Sequence, residues 1–156
     1  MKTELIVVGK TTDKHFIAGI KDYKERITHY LPFEIMTIPE IKDTRHLSED
    51  QQKIREGKLI LKQLQVSDTV VLLDEHGTEY RSIEYARWLQ KKMNNAKRLI
   101  FIIGGPYGFS KEVYDRANEL ISLSKMTFSH QMIRLIFTEQ LYRACTIIKG
   151  EPYHHE

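Results

Sequence analysis

Short apolar runs alternate with amphipathic stretches from one end of the chain to the other. Glu4–Val8 has the length and composition of a first strand. Asp13 is placed to cap a helix in which Phe16, Ile20, Tyr23, Ile27 and Tyr30 follow at alternating spacings of four and three, one buried stripe. Pro32 ends that helix, Phe33–Ile38 predicts a second strand closed by Pro39, and Glu40–Leu47 is a polar loop. Ser48 with Gln51 three positions on predicts a capping box opening a helix to about Gln65. Thr69–Leu73 is apolar on both faces, as a central parallel strand must be. Helix over Ser82–Asn94, strand over Arg98–Ile103, helix over Ser110–Glu119, a short strand at Leu120–Ser124 and a closing helix over His130–Lys149 complete the series. Strands alternating with helices predict an α/β fold, with a parallel-rich sheet of five to six strands and helices on both faces. No linker, repeat or low-complexity tract interrupts residues 1–156, so a single domain is expected.

Composition narrows the class. Apolar residues make up 41% and charged residues 29%, which excludes disorder. The longest apolar run, Leu99–Ile103, is far short of the ~20 residues a membrane-spanning helix needs. The start leads straight into a strand-like run without a signal-peptide pattern, and the single cysteine, Cys145, cannot form an internal disulfide. Both predict a cytoplasmic protein. The net charge of +3 permits a polyanionic partner without requiring one, and basic and aromatic residues mix in Lys10–Tyr30.

Candidate chemistry gathers in the last third. Gly104-Gly105-Pro106-Tyr107-Gly108-Phe109-Ser110 follows a strand and precedes a helix, at the strand end where α/β folds bind ligands. The spacing is not G-x-G-x-x-G, no acidic ribose anchor follows, and no Gly-Lys-Ser/Thr ending makes it a phosphate loop. A second loop, Leu123-Ser124-Lys125-Met126-Thr127-Phe128, comes off the next strand, with Ser129 placed to cap the helix behind it. Two such loops at successive strand ends suit a nucleoside-like ligand held between apolar side chains and backbone amides. Asp74-Glu75-His76-Gly77 is a polar turn at another strand end. Seven histidines are present, but none stands in a metal-binding spacing, so no metal is expected. The closing helix is apolar nearly all round, wider than one core can cover, which predicts a homodimer. Arg134, Glu139, Gln140 and Arg143 interrupt it. For its arginines two roles stand open, an Arg–Glu pair across the dimer seam or, for Arg143, contact with RNA. The tail carries Tyr153, His154 and His155, an aromatic ring and two imidazoles suited to an unstacked base.

Together, the segments at 100–110, 121–130 and 139–155 resemble the SPOUT class of methyltransferases, whose C-terminal strands and loops tie a trefoil knot around S-adenosylmethionine. Within that class the similarity is greatest to the small bacterial enzymes that methylate N3 of a pseudouridine in 23S, large-subunit ribosomal RNA, and it spans the whole chain. The resemblance implies S-adenosyl-L-methionine as cofactor, held by Leu73, Gly104 and Leu123, Ser124, Lys125, Met126, Thr127 and Phe128. It implies ribosomal RNA or an assembled ribosome as partner, without a separate RNA-binding domain. Catalytic roles then fall to Arg143 as electrostatic stabiliser and to His154 or His155 as base or base-edge contact. RNA contacts fall to Tyr153, Lys10, Lys14 and Lys24, with Lys21 and Arg26 beside them. A closing helix of about 20 residues rising 1.5 Å each carries the tail roughly 30 Å from its own loop, so tail and cofactor are expected to meet only between two chains. The competing class is a non-catalytic α/β module that binds a nucleotide or RNA.

Overall fold

The computed structural model describes residues 1–156. Five strands, β1 (Lys2–Val8), β2 (Phe33–Ile38), β3 (Thr69–Glu79), β4 (Arg98–Ile103) and β5 (Glu119–Ser122), form one sheet in the order β2-β1-β4-β3-β5. Every pairing is parallel. Helices α1 (Lys14–Ile27), α2 (Glu49–Lys62), α3 (Ser82–Asn95), α4 (Lys111–Arg116) and α5 (Met132–Lys149) connect and close it. No helix is long and apolar enough to cross a membrane.

Because side chains alternate along a strand, the apolar runs of β1, β3 and β4 supply both faces. Leu5, Val7, Val71, Phe101 and Ile103 face Ile27 of α1, Trp88 and Leu89 of α3, and Phe137 and Leu141 of α5. The intervening Ile6, Val8, Val70, Leu72, Ile100 and Ile102 face Ile60 of α2 and Val113 of α4. The centre of the first layer is aromatic: the Phe101 ring meets Phe137 at 4.8 Å and Trp88 at 5.9 Å between ring centroids. Cys145 belongs to this layer, and burial pushes its thiol up to about 12, so it serves as a small apolar side chain.

Local signals act as their chemistry dictates. Asp13 Oδ1 accepts from the His15 and Phe16 amides at 2.8 and 3.4 Å. Ser48 and Gln51 close both halves of the capping box, at 3.1 and 2.9 Å. Several elements differ from those expected: β1 begins already at Lys2, β5 runs over Glu119–Ser122 and α5 begins only at Met132. The sheet has five strands and no sixth. The α2 helix ends at Lys62. The α4 helix is only six residues long, with Ser110 as its cap. The β3 strand continues to Glu79 instead of ending at Leu73, with a register shift against β5 between Leu73 and Thr78. Asp74–Gly77 is therefore a bulge within a strand. Gly77 makes it possible, since a Cβ there would lie 2.6 Å from the Leu120 backbone.

Candidate active site

In an all-parallel sheet every carboxyl end points the same way, and here three loops gather on that edge. The β3 bulge, residues 104–110 after β4 and residues 123–131 after β5 enclose a cleft of about 590 Å³. Of the positions expected to hold a cofactor, Leu73, Gly104, Leu123, Ser124, Met126, Thr127 and Phe128 line it. Lys125 does not; its ammonium turns outward to within 3.8 Å of the Glu79 carboxylate. Pro106, Tyr107, Phe109, Tyr114, His130 and Ile133 line it as well, none of them assigned from the sequence. Glu49, Asp74 and Glu75 make its wall acidic, and no Lys or Arg contributes to it.

The loop after β4 is a turn with Pro106 and Tyr107 at its corners, closed by Gly108 N–H donating to Gly105 O at 3.2 Å. Gly108 sits at φ +81°, a left-handed conformation that favours glycine. The Gly105 amide donates to Glu56 Oε1 at 3.0 Å, so a buried carboxylate on α2 supports the loop from beneath. That carboxyl is raised above its ordinary value, by burial first and by the nearby Glu40 charge, with the Gly105 amide opposing. The native state therefore binds this proton more tightly than the unfolded chain, and stability falls as pH rises from the ordinary carboxylate range through the raised value. Glu56→Gln keeps an acceptor for Gly105, and is expected to flatten that slope in urea denaturation between about pH 4 and 8. A slope equal to wild type would show that Glu56 is not its source. No sequence motif marked this residue; its only trace is an acidic side chain on the buried stripe of α2, beside Gly57 and Ile60.

Gly104 plays a different part from the one its strand-end position suggested. A Cβ there would point at the Phe109 ring, 3.0 Å away, and not into open cleft space. Phe109 is both core and cleft wall. Gly104→Val is thus expected to cost about 1–3 kcal/mol of stability, as overpacking does, and to weaken ligand binding through the displaced ring. Thermal denaturation beside ligand titration would separate the two effects.

The loop after β5 is internally braced. Ser122 Oγ donates to the Ser124 carbonyl at 2.9 Å, and the Met126 amide donates to Ser124 Oγ at 2.9 Å, leaving the Met126 side chain 77% exposed. Ser129 Oγ accepts from the Met132 amide at 3.0 Å, but α5 starts later than expected, at Met132, so Gln131 and not Ser129 occupies its N-cap position. Gln131 ties the loop's end to the segment after β1, accepting from Thr12 N at 2.9 Å and donating to Lys10 O at 3.1 Å. Arg134, 2% exposed, donates to Val8 O at 2.7 Å, Gly9 O at 2.9 Å and Thr11 Oγ1 at 3.0 Å. Its partners lie within the chain, not across a dimer seam. Asp74 steadies the bulge, accepting from the His76 amide at 2.8 Å and from the Tyr114 hydroxyl. Burial, and then that carboxylate, raise the Tyr114 phenol above its ordinary range.

The tail does not continue the axis of α5. At Gly150, φ +69°, the chain reverses and runs back along its own helix. Glu151 accepts from the Tyr30 hydroxyl at 2.5 Å, and Tyr153 donates to Glu139 at 3.0 Å. The Arg143 guanidinium carbon stands 4.8 Å over the Tyr153 ring, while its nitrogens reach Glu139 at 2.5 Å and His154 Nδ1 at 3.0 Å. A guanidinium only donates, so Nδ1 accepts and Nε2–H faces Glu156, 3.1 Å away. Glu156 in turn meets Arg81 at 2.9 Å. The separation of tail from body expected of a continued helix is therefore absent. Arg143, His154 and Tyr153 are brought together, while His155 is exposed. None of the four lines the cleft. Lys10 and Lys14 are exposed near the loop's anchor, and Lys24 lies 3.5 Å from Glu34.

A parallel α/β sheet whose strand-end loops enclose an acidic, partly apolar cleft is the architecture in which α/β proteins hold small ligands. The chain belongs to the SPOUT methyltransferase family: the family model described as "Predicted SPOUT methyltransferase" matches residues 1–154. It is 64% identical to a protein of Bacteroides fragilis, 62% identical to one of Phocaeicola vulgatus and 54% identical to one of Porphyromonas gingivalis. Each match covers 100% of both chains, and each relative is named ribosomal RNA large subunit methyltransferase H. Family membership makes this an enzyme and removes the non-catalytic binding module as an alternative.

Proposed function

We propose that the protein methylates N3 of a pseudouridine in 23S ribosomal RNA on the large subunit or assembled ribosome, using S-adenosyl-L-methionine. The observation that carries the cofactor assignment is the cleft. Its volume of about 590 Å³, apolar side chains from Leu73, Leu123, Met126, Phe128 and Ile133, and three carboxylates with no Lys or Arg among them suit a nucleoside bearing a sulfonium and an ammonium. Bound there, the cofactor supplies an electrophilic methyl group: as the N3–C bond forms the sulfur–carbon bond breaks, leaving a thioether. The chain's own part is to orient the base, exclude water and manage the imide proton, whose free pKa lies above neutrality. Arg143 supplies positive charge for the developing anion, with Tyr153 stacked beneath its guanidinium. His154 has its Nδ1 lone pair committed to Arg143 and so acts as an oriented contact, leaving exposed His155 or water to accept the proton. Lys10, Lys14, Lys24 and Tyr153 serve the RNA.

In the same proposal the protein is a cytoplasmic homodimer, its seam formed by α5 residues left partly exposed by the core, such as Met132 and Ile136. The segment after β5 ties a trefoil knot. Supporting this, β5 lies at the sheet edge beside β3, yet the following loop is pinned at Lys10, Val8 and Gly9 near the end of β1, so it crosses the ends of β3 and β4. Calorimetric titration with S-adenosylmethionine, followed by methyl transfer to ribosomes lacking this modification, tests the assignment. Cofactor binding and a single methylated pseudouridine are expected; absence of either overturns it.

A further inference from the structure

Gly104 and Gly105 share one peptide unit on the wall of the cleft, and its two polar groups are treated differently. The Gly105 N–H donates to Glu56 Oε1 at 3.0 Å, whereas the Gly104 carbonyl receives no hydrogen bond from the chain. We infer that Glu56 is a positioning residue for the cofactor: by holding the Gly105 N–H from beneath, it turns the Gly104 carbonyl into the cleft, where it accepts a hydrogen bond from the nucleoside. The inference rests on the cofactor proposed above and names the group that orients its binding loop.

A trans peptide is planar, so its N–H and C=O point in opposite directions. No peptide bond of the chain is cis. Fixing the Gly105 N–H toward α2 therefore fixes the Gly104 C=O away from α2. Both glycines line the cleft and Glu56 does not, so away from α2 is toward the ligand. The Glu56 side chain is well placed to enforce this, being 5% exposed and seated directly under the loop. It lies so close that a Cβ at Gly105 would stand 2.6 Å from Glu56 Oε2. Next to it on α2, Gly57 admits the other end of the loop: a Cβ there would stand 2.5 Å from Oγ of Ser110, the cap of α4. Residues 104–110 are thus seated on α2 at both ends. The same contact decides what the loop offers. Of its three glycine amides, that of Gly105 is committed to Glu56 and that of Gly108 to Gly105 O. At this peptide the loop presents an acceptor, where its glycine pattern suggested amides. An acceptor agrees with the three carboxylates of the wall, and with a ligand whose ribose hydroxyls and adenine amine are donors. Protonated or ionised, Glu56 keeps an oxygen for the Gly105 N–H.

Gly104-Gly105 is the only Gly-Gly pair in the sequence, so glycine labelled with 13C at its carbonyl and with 15N isolates this one peptide unit in a carbonyl–amide correlation spectrum. S-adenosylhomocysteine is expected to shift the Gly104 carbonyl resonance of wild type while the Gly105 proton stays at its hydrogen-bonded position. Three analogues each lack one donor: the 2′-deoxy, 3′-deoxy and N6-dimethyl forms. One of them is expected to leave that carbonyl unmoved and to bind about tenfold more weakly, the scale of one hydrogen bond. Glu56→Gln retains an acceptor and is expected to bind S-adenosylhomocysteine within about threefold of wild type in calorimetric titration. Glu56→Leu is expected to bind it about tenfold more weakly and to be insensitive to loss of that one donor. A carbonyl that does not move in wild type overturns the inference, and decides it even where Glu56→Leu does not fold. So does a folded Glu56→Leu with affinity within about twofold of wild type, or one that still loses about tenfold with the same analogue. Failure of the wild type to bind S-adenosylhomocysteine at all would overturn the proposed cofactor instead.

Discussion

Arg134→Ala is expected to lower the unfolding free energy by about 3 kcal/mol and to abolish cofactor binding together with it. The side chain is 2% exposed and gives three hydrogen bonds, two of them to the carbonyls of Val8 and Gly9. Removing it leaves buried carbonyls unsatisfied, and charged hydrogen bonds of this kind contribute about 1.5–3 kcal/mol each in favourable cases. The loss is not confined to stability. Arg134 stands near the start of α5, directly behind the loop at 123–131, and its bonds hold that loop against the end of β1. Urea denaturation measures the first effect and calorimetric titration of S-adenosylmethionine the second. A folded variant with unchanged affinity would show that Gln131 and Ser129 suffice to place the loop.

Deleting residues 152–156 is expected to leave cofactor affinity within a few-fold of wild type while methyl transfer to ribosomes falls by at least about 100-fold, the scale of losing an electrostatic stabiliser and its orienting partners. No tail residue lines the cleft, so cofactor capture has no direct need of it. Yet the tail holds Arg143 from two sides, by the Tyr153 ring at 4.8 Å and by His154 Nδ1 at 3.0 Å, and without it the guanidinium is free to swing toward Glu139 alone. Parallel assays of binding and transfer on the truncated protein decide this. Equal loss of both would mean that the tail supports the fold of the cleft.

Much of this architecture is legible in the sequence because its signals are local. Asp13, Ser48 with Gln51, and the apolar runs of β1, β2 and β4 each carry their instruction within a few residues, and those elements form close to where they are expected. The two loops that line the cleft are also legible, since glycine and serine clusters directly behind strands mark turns at the carboxyl edge of the sheet. What the sequence conceals is set by contacts between distant segments. The extension of β3 beyond Leu73 depends on β5 approaching the Gly77 backbone, more than 40 positions away. Glu56 looks like a solvated helix residue until the Gly105 amide is brought above it. The return of the tail depends on Tyr30, Glu139 and Arg81 waiting along its path. Lys125 lies within the ligand loop by position but outside the cleft by direction, a distinction that spacing alone does not carry.

The strand order has a consequence for how the molecule comes into being. The middle of the sheet is β4, flanked by β1 and β3, and its first residue is Arg98. A nascent chain that has released β1 and β3 holds two strands whose inner edges both await a partner not yet made. Unpaired edges of this kind invite pairing with other chains, and pairings so distant in sequence form slowly. The ribosome, the proposed substrate of the finished enzyme, must therefore deliver nearly two-thirds of this chain before the sheet can close on its own centre.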